Sequence, residues 1–386
     1  MIPLSEPNFE GNEIKYATDA ISTAWVSTNG EYVNQFEKQI ANFVNVDNAV
    51  ACQSGTAGIH LALVECGIGD NDLVLVPTLT FIATVNPVKY VGACPVFMDC
   101  DDSLCIDPIK IEKFCREECD FVDGRLIHKF SRKQVKAIIV VHVFGNMADM
   151  VSIMKIAKKY NLFVIEDAAE ALGTRYVDGK YKGMFAGTIG DIGVYSFNGN
   201  KIITTGGGGA VVSHDRKLLD HVKYLSTQAK DDAQYYIHNE IGFNYRMTNV
   251  QAAIGVAQLE ELTEFINRKN KNYEIYKKKM ADINGCRLLD VRNDVYSNRW
   301  FYALRIDDSC DISDIATRLR LKGIQSRPIW GLIHEQKPYK KEVAYNIENA
   351  YLYQKKILNI PCSTNISNIQ IDMVCKAFRE IMGERK

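Results

Sequence analysis

Two nearly continuous apolar runs, Ala137–Val141 and Leu162–Ile165, flank a stretch of helical periodicity at 150–159. A strand that reads as unbroken apolar residues, rather than as alternation, is buried on both faces. Such strands interleaved with helices predict a mostly parallel sheet covered on either side. Five further segments fit the same reading, at 49–52, 73–76, 95–99, 192–197 and 208–213. The expectation is an α/β fold built on a seven-stranded, mostly parallel sheet. Helices over 12–24 and 32–44 precede it, and 101–136 reads as an irregular, charged excursion. From about 249 to 280 runs a long helical stretch rich in Leu, Glu and Lys. Beyond it come a strand near 300–306 and helices near 311–322 and 369–382. Two domains follow from this, a large one over 1–255 and a smaller α+β one over 256–386. With 386 residues, 47% of them apolar, the chain can bury both cores.

Charge excludes little. Lys plus Arg number 46 and Asp plus Glu 47, a formal net charge of -1. That balance carries no footprint of nucleic acid or of an acidic membrane surface, yet leaves room for an anion held by a few local groups. The longest uncharged apolar stretch, Leu73–Val88, is interrupted by Pro77 and Pro87. It reads as a strand and a turn, not a membrane span. The opening residues show neither a basic segment nor an apolar core, so no secretory leader is read and a cytoplasmic setting with reduced cysteines is expected. Eleven cysteines are scattered along the chain, and no second pair or nearby histidine joins Cys115 and Cys119 in a zinc pattern. No metal is expected.

Three features lie at strand ends, where open α/β sheets place their ligands. Ser54-Gly55-Thr56-Ala57-Gly58 separates a strand from a helix. It is either a tight turn or a cradle of backbone N–H groups for an anion at a helix N-terminus. Glu166-Asp167 closes a buried strand. A carboxylate there either caps the next helix or keeps a heterocyclic nitrogen protonated. Lys201 follows Ser196 through a short loop and precedes Thr204, Thr205 and the run Gly206–Gly209. It is either a surface lysine or an amine placed to form an imine with a carbonyl. The lysine precedes the glycines, so the arrangement is not a nucleoside triphosphate loop. Taken in order with Phe81, these residues supply an anion anchor, a ring face, a nitrogen partner and an imine lysine. Pyridoxal phosphate requires that set.

The same segments resemble the DegT/DnrJ/EryC1 family of sugar aminotransferases, and the resemblance covers essentially the whole chain. It is carried by the opening at 2–13, the 54–58 turn, 76–84, 166–173, 196–205 and 242–253. It implies a fold type I, aspartate-aminotransferase-like enzyme with pyridoxal 5'-phosphate as cofactor. By this likeness Lys201 is the catalytic lysine linked to the cofactor, and Asp167 the partner of the ring nitrogen. Phe81 would stack on the ring, Gly55, Thr56 and Ser196 would hold the phosphate, and Glu170 would lie over the cofactor. Asn244 resembles an asparagine that reaches the phosphate bound by a neighbouring subunit, which implies a homodimer. His334 and Arg246 would meet the substrate, and His60 is read as structural. The family pattern has a glutamate within the glycine run, where this chain has only glycines. That departure, the 227–230 segment and the 101–136 insertion resemble the LegC-like subgroup. Its members take L-glutamate and a UDP-linked 4-keto-6-deoxy-N-acetylglucosamine to the 4-amino sugar, on the way to legionaminic acid. The neighbouring alternative is GDP-perosamine synthase, which acts on GDP-4-keto-6-deoxymannose.

Overall fold

A computed structural model describes residues 1–307 and 310–383. Its centre is a ten-stranded mixed sheet. Along the main path the order is Asn48–Cys52, Gly209–Ser213, Ile192–Ser196, Phe163–Asp167, Gln134–Val141, Asp72–Pro77, Cys94–Met98 and Val343–Tyr345. The first three pair antiparallel, and from Ile192–Ser196 onward every neighbour is parallel. The seven strands expected from the apolar runs are all present, and three more are added to them.

Successive residues of each strand feed opposite cores, as the two-residue period of a strand requires. Val50, Cys52, Val74, Val76, Ile139, Ile165, Val194 and Val211 face one side, where Leu61, Leu219 and Val222 of two helices cover them. Ala51, Leu75, Ile138, Val140, Val164 and Val212 face the other, against Phe36, Ile40, Ile153, Ile156 and Leu262. Burial of each large aliphatic side chain contributes about 1.5–3 kcal/mol.

The excursion over 101–136, expected to be irregular, contains a helix and a hairpin. Asp107 accepts the amides of Ile109 and Lys110, and Pro108 occupies the first turn, which together start the helix Pro108–Glu117. Ile111, Phe114 and Cys115 form its buried stripe. A hairpin of Cys119–Val122 and Arg125–His128 follows and pairs Leu126 with Val135, extending the sheet.

The helix Asn249–Met280 begins with a reciprocal cap between Thr248 and Gln251 and runs unbroken through the expected boundary at 255. Beyond it, Cys286–Leu288, Tyr302–Ile306, Ile357–Ile360 and Arg327–Pro328 form a four-stranded antiparallel sheet. Helices Ile312–Leu321 and Asn368–Gly383 accompany it. The Val343–Tyr345 strand returns from this portion to the edge of the main sheet. Its return is held by Asp99, fully buried at the end of Cys94–Met98. The Asp99 carboxylate accepts the amides of Glu348 (2.9 Å), Asn349 (2.8 Å) and Ala350 (2.7 Å) and the ammonium of Lys110 (2.6 Å).

Burial by itself would raise the proton affinity of Asp99, but Lys110 and the three amides outweigh it and hold the carboxyl below its ordinary value. A carboxyl made more acidic by folding stabilises the native state fully above its unfolded value of about 3.9, and that contribution is lost as pH falls through the native value. Asp99→Ala leaves Lys110 and three amides without their acceptor and is expected to cost about 3 kcal/mol at pH 7 in urea denaturation. The gap to the unmodified protein should narrow below about pH 4. Equal stability of the two proteins at pH 7 would refute this account.

Candidate functional site

Parallel strands end on the same side, so the loops after Pro77, Val141, Asp167 and Ser196 share one edge of the sheet. The turn before the helix Gly55–Glu65 joins them. Ser54 caps that helix by accepting the Ala57 amide at 3.1 Å. The first amides of the helix have no partner within it. The turn is pressed against the neighbouring strands. A Cβ on Gly55 would lie 3.0 Å from that of Ser196, and one on Gly209 would lie 2.6 Å from the Ser54 carbonyl. Glycine at these two positions is a packing requirement, and it sets the Gly55–Thr56 amides beside the Ser196 hydroxyl.

Asp167 ends its strand 5% exposed. One carboxylate oxygen accepts the Thr84 hydroxyl at 2.7 Å, and the other accepts the Ala169 amide at 3.1 Å. An ionised carboxylate has about four acceptor sites. Two bonds therefore leave it free to meet a further N–H donor, as a protonated ring nitrogen provides. Thr84 closes the short turn headed by Phe81, whose ring is 55% exposed. Thr84 thus ties the two together, its amide donating to the Phe81 carbonyl at 3.1 Å and its hydroxyl to Asp167.

Lys201 stands in the loop between Ser196 and Gly209, which is closed on itself by Phe197 to Gly208 (2.9 Å) and Thr205 to Phe197 (3.0 Å). Its Nζ lies 3.8 Å from Glu170 Oε1 and 4.3 Å from the centroid of the Trp300 ring. The indole N–H donates to the Asn200 carbonyl at 2.6 Å, which fixes that ring over the lysine. Glu170 is buried and accepts the Phe144 amide on Oε2 at 2.8 Å. Burial raises its carboxyl to about 7, against the lowering effects of Lys201 and the Phe144 amide. Phe144 has a left-handed backbone, φ 56°, which costs a non-glycine residue about 1–3 kcal/mol and aims that amide. Asn298 ties the Trp300 segment to the Glu170 loop, donating to the carbonyls of Glu170 and Leu172, both at 3.0 Å.

The structure therefore brings together Gly55, Thr56, Ser196, Phe81, Asp167, Glu170 and Lys201 on one edge of the sheet. His334 joins that edge from the C-terminal portion. Its ring bridges the Thr78 hydroxyl (2.6 Å) and the Tyr351 hydroxyl (2.9 Å), and partial burial lowers its pKa. Asn244 lies apart on an exposed segment and accepts from the Gln228 side chain at 3.0 Å. Arg246 is turned inward, and its guanidinium is bound to Glu37 and to the Ala51 carbonyl. Its charge is spent within the fold rather than presented to a ligand. His60 packs its ring against Phe243 and Tyr245, as a structural residue does.

Thr84, Phe144, Asn298 and Trp300 escaped sequence reasoning. Trp300 reads as the start of a strand and Thr84 as one of several threonines. The left-handed Phe144 carries no sequence signal. Among the described residues, no cluster of three or more His, Cys, Asp or Glu side chains is arranged to hold a metal. No helix is long and apolar enough to cross a membrane among those residues.

Comparison with known proteins gives the chain a family. The profile of the DegT/DnrJ/EryC1/StrS aminotransferase family matches residues 7–379. GDP-perosamine synthase of Escherichia coli O157:H7 is 36% identical over 384 residues, 100% of this chain and 99% of that protein. UDP-4-amino-4,6-dideoxy-N-acetyl-beta-L-altrosamine transaminase of Campylobacter jejuni is 30% identical over 367 residues, 94% of this chain and 92% of that protein. The crystal structure of a DegT DnrJ EryC1 StrS aminotransferase from Brucella abortus superposes with a TM-score of 0.86 at 26% identity, covering 96% of this chain and 95% of that one. The chain belongs to the DegT/DnrJ/EryC1/StrS family and is a pyridoxal phosphate-dependent sugar aminotransferase.

Proposed function

We propose that this enzyme moves the amino group of L-glutamate to C4 of a GDP-linked 4-keto-6-deoxy sugar, as a GDP-perosamine synthase. The observation that carries the sugar assignment is the end-to-end likeness to GDP-perosamine synthases, at 36% and 35% identity across 100% and 99% of this chain. A second reading takes the UDP-linked 4-keto-6-deoxy-N-acetylglucosamine as substrate. It is favoured by the unbroken glycine run Gly206–Gly209 and the 227–230 segment, which resemble the LegC-like subgroup.

Bound pyridoxal phosphate supplies an electron sink that lets an amino group leave one carbon and be installed on another. The residues of the chain do the rest. Asp167 holds a proton on the ring nitrogen through the oxygen face that Thr84 and Ala169 leave free. Lys201 Nζ takes the α-proton of glutamate in the first half-reaction and delivers a proton to sugar C4 in the second. The Gly55 and Thr56 amides and the Ser196 hydroxyl receive the cofactor phosphate. Trp300 covers the lysine and limits water there. His334, braced between Thr78 and Tyr351, lines the approach of the nucleotide sugar. Asn244 sits on an exposed segment, where a second copy of the chain would bring it to a neighbouring site; the working unit in this reading is a homodimer. Arg246 has no part in it.

Two measurements test these assignments. Lys201→Ala is expected to lower turnover by about 10³-fold or more while the protein still retains cofactor. Appreciable residual kcat would remove Lys201 from its role. Incubation with glutamate and either the GDP-linked or the UDP-linked 4-keto sugar, read by mass spectrometry, is expected to give the amino sugar with the GDP substrate. Turnover of the UDP substrate alone would transfer the assignment to the second reading.

A further inference from the structure

Glu170 is an unusual neighbour for a reactive amine. A lysine that must act as a nucleophile and a base cannot do so while it carries its proton. The group that removes that proton has to lie within reach, accept it reversibly and be shielded from bulk water. The two oxygens of Glu170 have separate tasks. Oε2 is held by the Phe144 amide at 2.8 Å, a donor that does not titrate and that is aimed by a strained backbone. Oε1 faces Lys201 Nζ at 3.8 Å, with no other hydrogen-bond donor upon it among the described residues. That separation is too long for a resting hydrogen bond, and a shift of about 1 Å brings it to the usual 2.9 Å. The ammonium is meanwhile steadied by the Trp300 ring, a weaker and non-accepting partner.

We propose that Glu170 is the proton partner of Lys201, taking the proton from its ammonium to free the amine and returning it when the amine must be charged again. The N–H bond of Lys201 breaks and its electron pair stays on nitrogen. An O–H bond forms on Glu170 Oε1, and the charged pair becomes a neutral one with no change of oxidation state. The inference rests on the reading of Lys201 as the reactive amine, and on nothing about the sugar.

The surroundings suit that exchange. The charged groups facing Glu170 are Lys201 and Asp167; burial and the Asp167 charge raise its proton affinity while Lys201 and the Phe144 amide lower it. The balance leaves the carboxyl at about 7, able to hold or release a proton near neutrality. A salt bridge serving only stability would gain from closer, doubled contacts. Here one oxygen is reserved for a neutral amide and the other is left loose.

Glu170→Gln tests this, because the amide oxygen of glutamine still accepts from Phe144 but cannot titrate. Apo-protein is mixed with pyridoxal phosphate, and the rate of growth of the visible absorption band is followed from about pH 5.5 to 9. The unmodified protein is expected to show an inflection near pH 7. In Glu170→Gln that inflection should vanish and capture at pH 7 should slow by about 10- to 100-fold, with an unchanged melting temperature. Glu170→Asp, which keeps an ionisable group, should retain an inflection. In the glutamate half-reaction, Glu170→Gln should lower the limiting rate and leave the glutamate KM within about twofold. A Glu170→Gln profile superimposable on that of the unmodified protein would overturn the proposal. So would faster capture at pH 7, because the carboxylate would then serve only to keep the amine charged. Neither assay contains a sugar, so a wrong nucleotide sugar leaves these outcomes readable on their own.

Discussion

The site depends on one buried negative charge that takes no direct part in it. Glu166 has no exposed surface, and its carboxylate accepts from His142 Nε2 (2.8 Å) and from the amides of Gly187 (2.9 Å), Ile189 (2.6 Å) and Gly190. Burial would raise its pKa, but these donors and the nearby His142 outweigh that and hold the group ionised. His142 Nδ1 accepts the Ala148 amide at 3.3 Å, which leaves Nε2 as the end that carries the proton toward Glu166. The consequence is geometric. His142 ends one parallel strand, Glu166 belongs to the next, and residues 187–190 lead into the third. A single carboxylate therefore fixes the relative heights of the three strands that deliver Phe144, Asp167 with Glu170, and Ser196 with Lys201. The loop is packed so closely that a Cβ on Gly193 would fall 1.8 Å from the Gly187 carbonyl.

A second device fastens the C-terminal portion to that edge. Lys269, in the middle of the long helix, is buried and donates to the carbonyls of Trp300 (2.6 Å) and Cys362 (2.7 Å). Burial lowers its pKa, and the nearby Cys362 only partly opposes that effect. With Asn298 bonded to the Glu170 loop, Trp300 is held from both ends. The ring over Lys201 is thereby positioned by the smaller portion of the chain, although the lysine belongs to the larger. Asp99 does the same at the other end of the edge, through the 348–350 amides that precede Tyr351 and so brace His334.

How much of this the sequence discloses follows from the same physics. Strands buried on both faces must be apolar throughout, so the seven main strands are legible as runs. The Cys119–His128 hairpin is largely exposed, and its place is set by pairing with Gln134 and Val135, a tertiary contact that its charged residues conceal. Val343–Tyr345 is not legible locally, because it is a strand only by virtue of its pairing with Val96–Met98, far away in sequence. In the site, Lys201 and Asp167 stand out at strand ends in short motifs, and Glu170 is reached through the family resemblance of its segment. Phe144 and Trp300 act through a backbone angle and a ring placement, and neither exists before the chain has folded. Arg246 shows the opposite error. Its neighbours make it look available, and only the fold reveals Glu37 opposite it.

That last pairing bears on how an anionic cofactor is held. Glu37 occupies Arg246 and also lies 3.5 Å from the half-exposed Lys223, so the guanidinium beside the Ala51 carbonyl is paired from within. Around Lys201 itself stand two carboxylates, Asp167 and Glu170. A phosphate entering this edge meets little unpaired positive charge from the residues that line it. In the proposed reading it would meet oriented dipoles instead, the first amides of the Gly55–Glu65 helix and the Ser196 hydroxyl packed against them. Dipoles fixed by packing cost no reorganisation when an anion arrives. They also explain why a net charge of -1 is compatible with anionic ligands. In that reading recognition rests on where glycine lets backbone approach, so the close contacts of Gly55 and Gly209 would matter more to phosphate binding than the count of lysines.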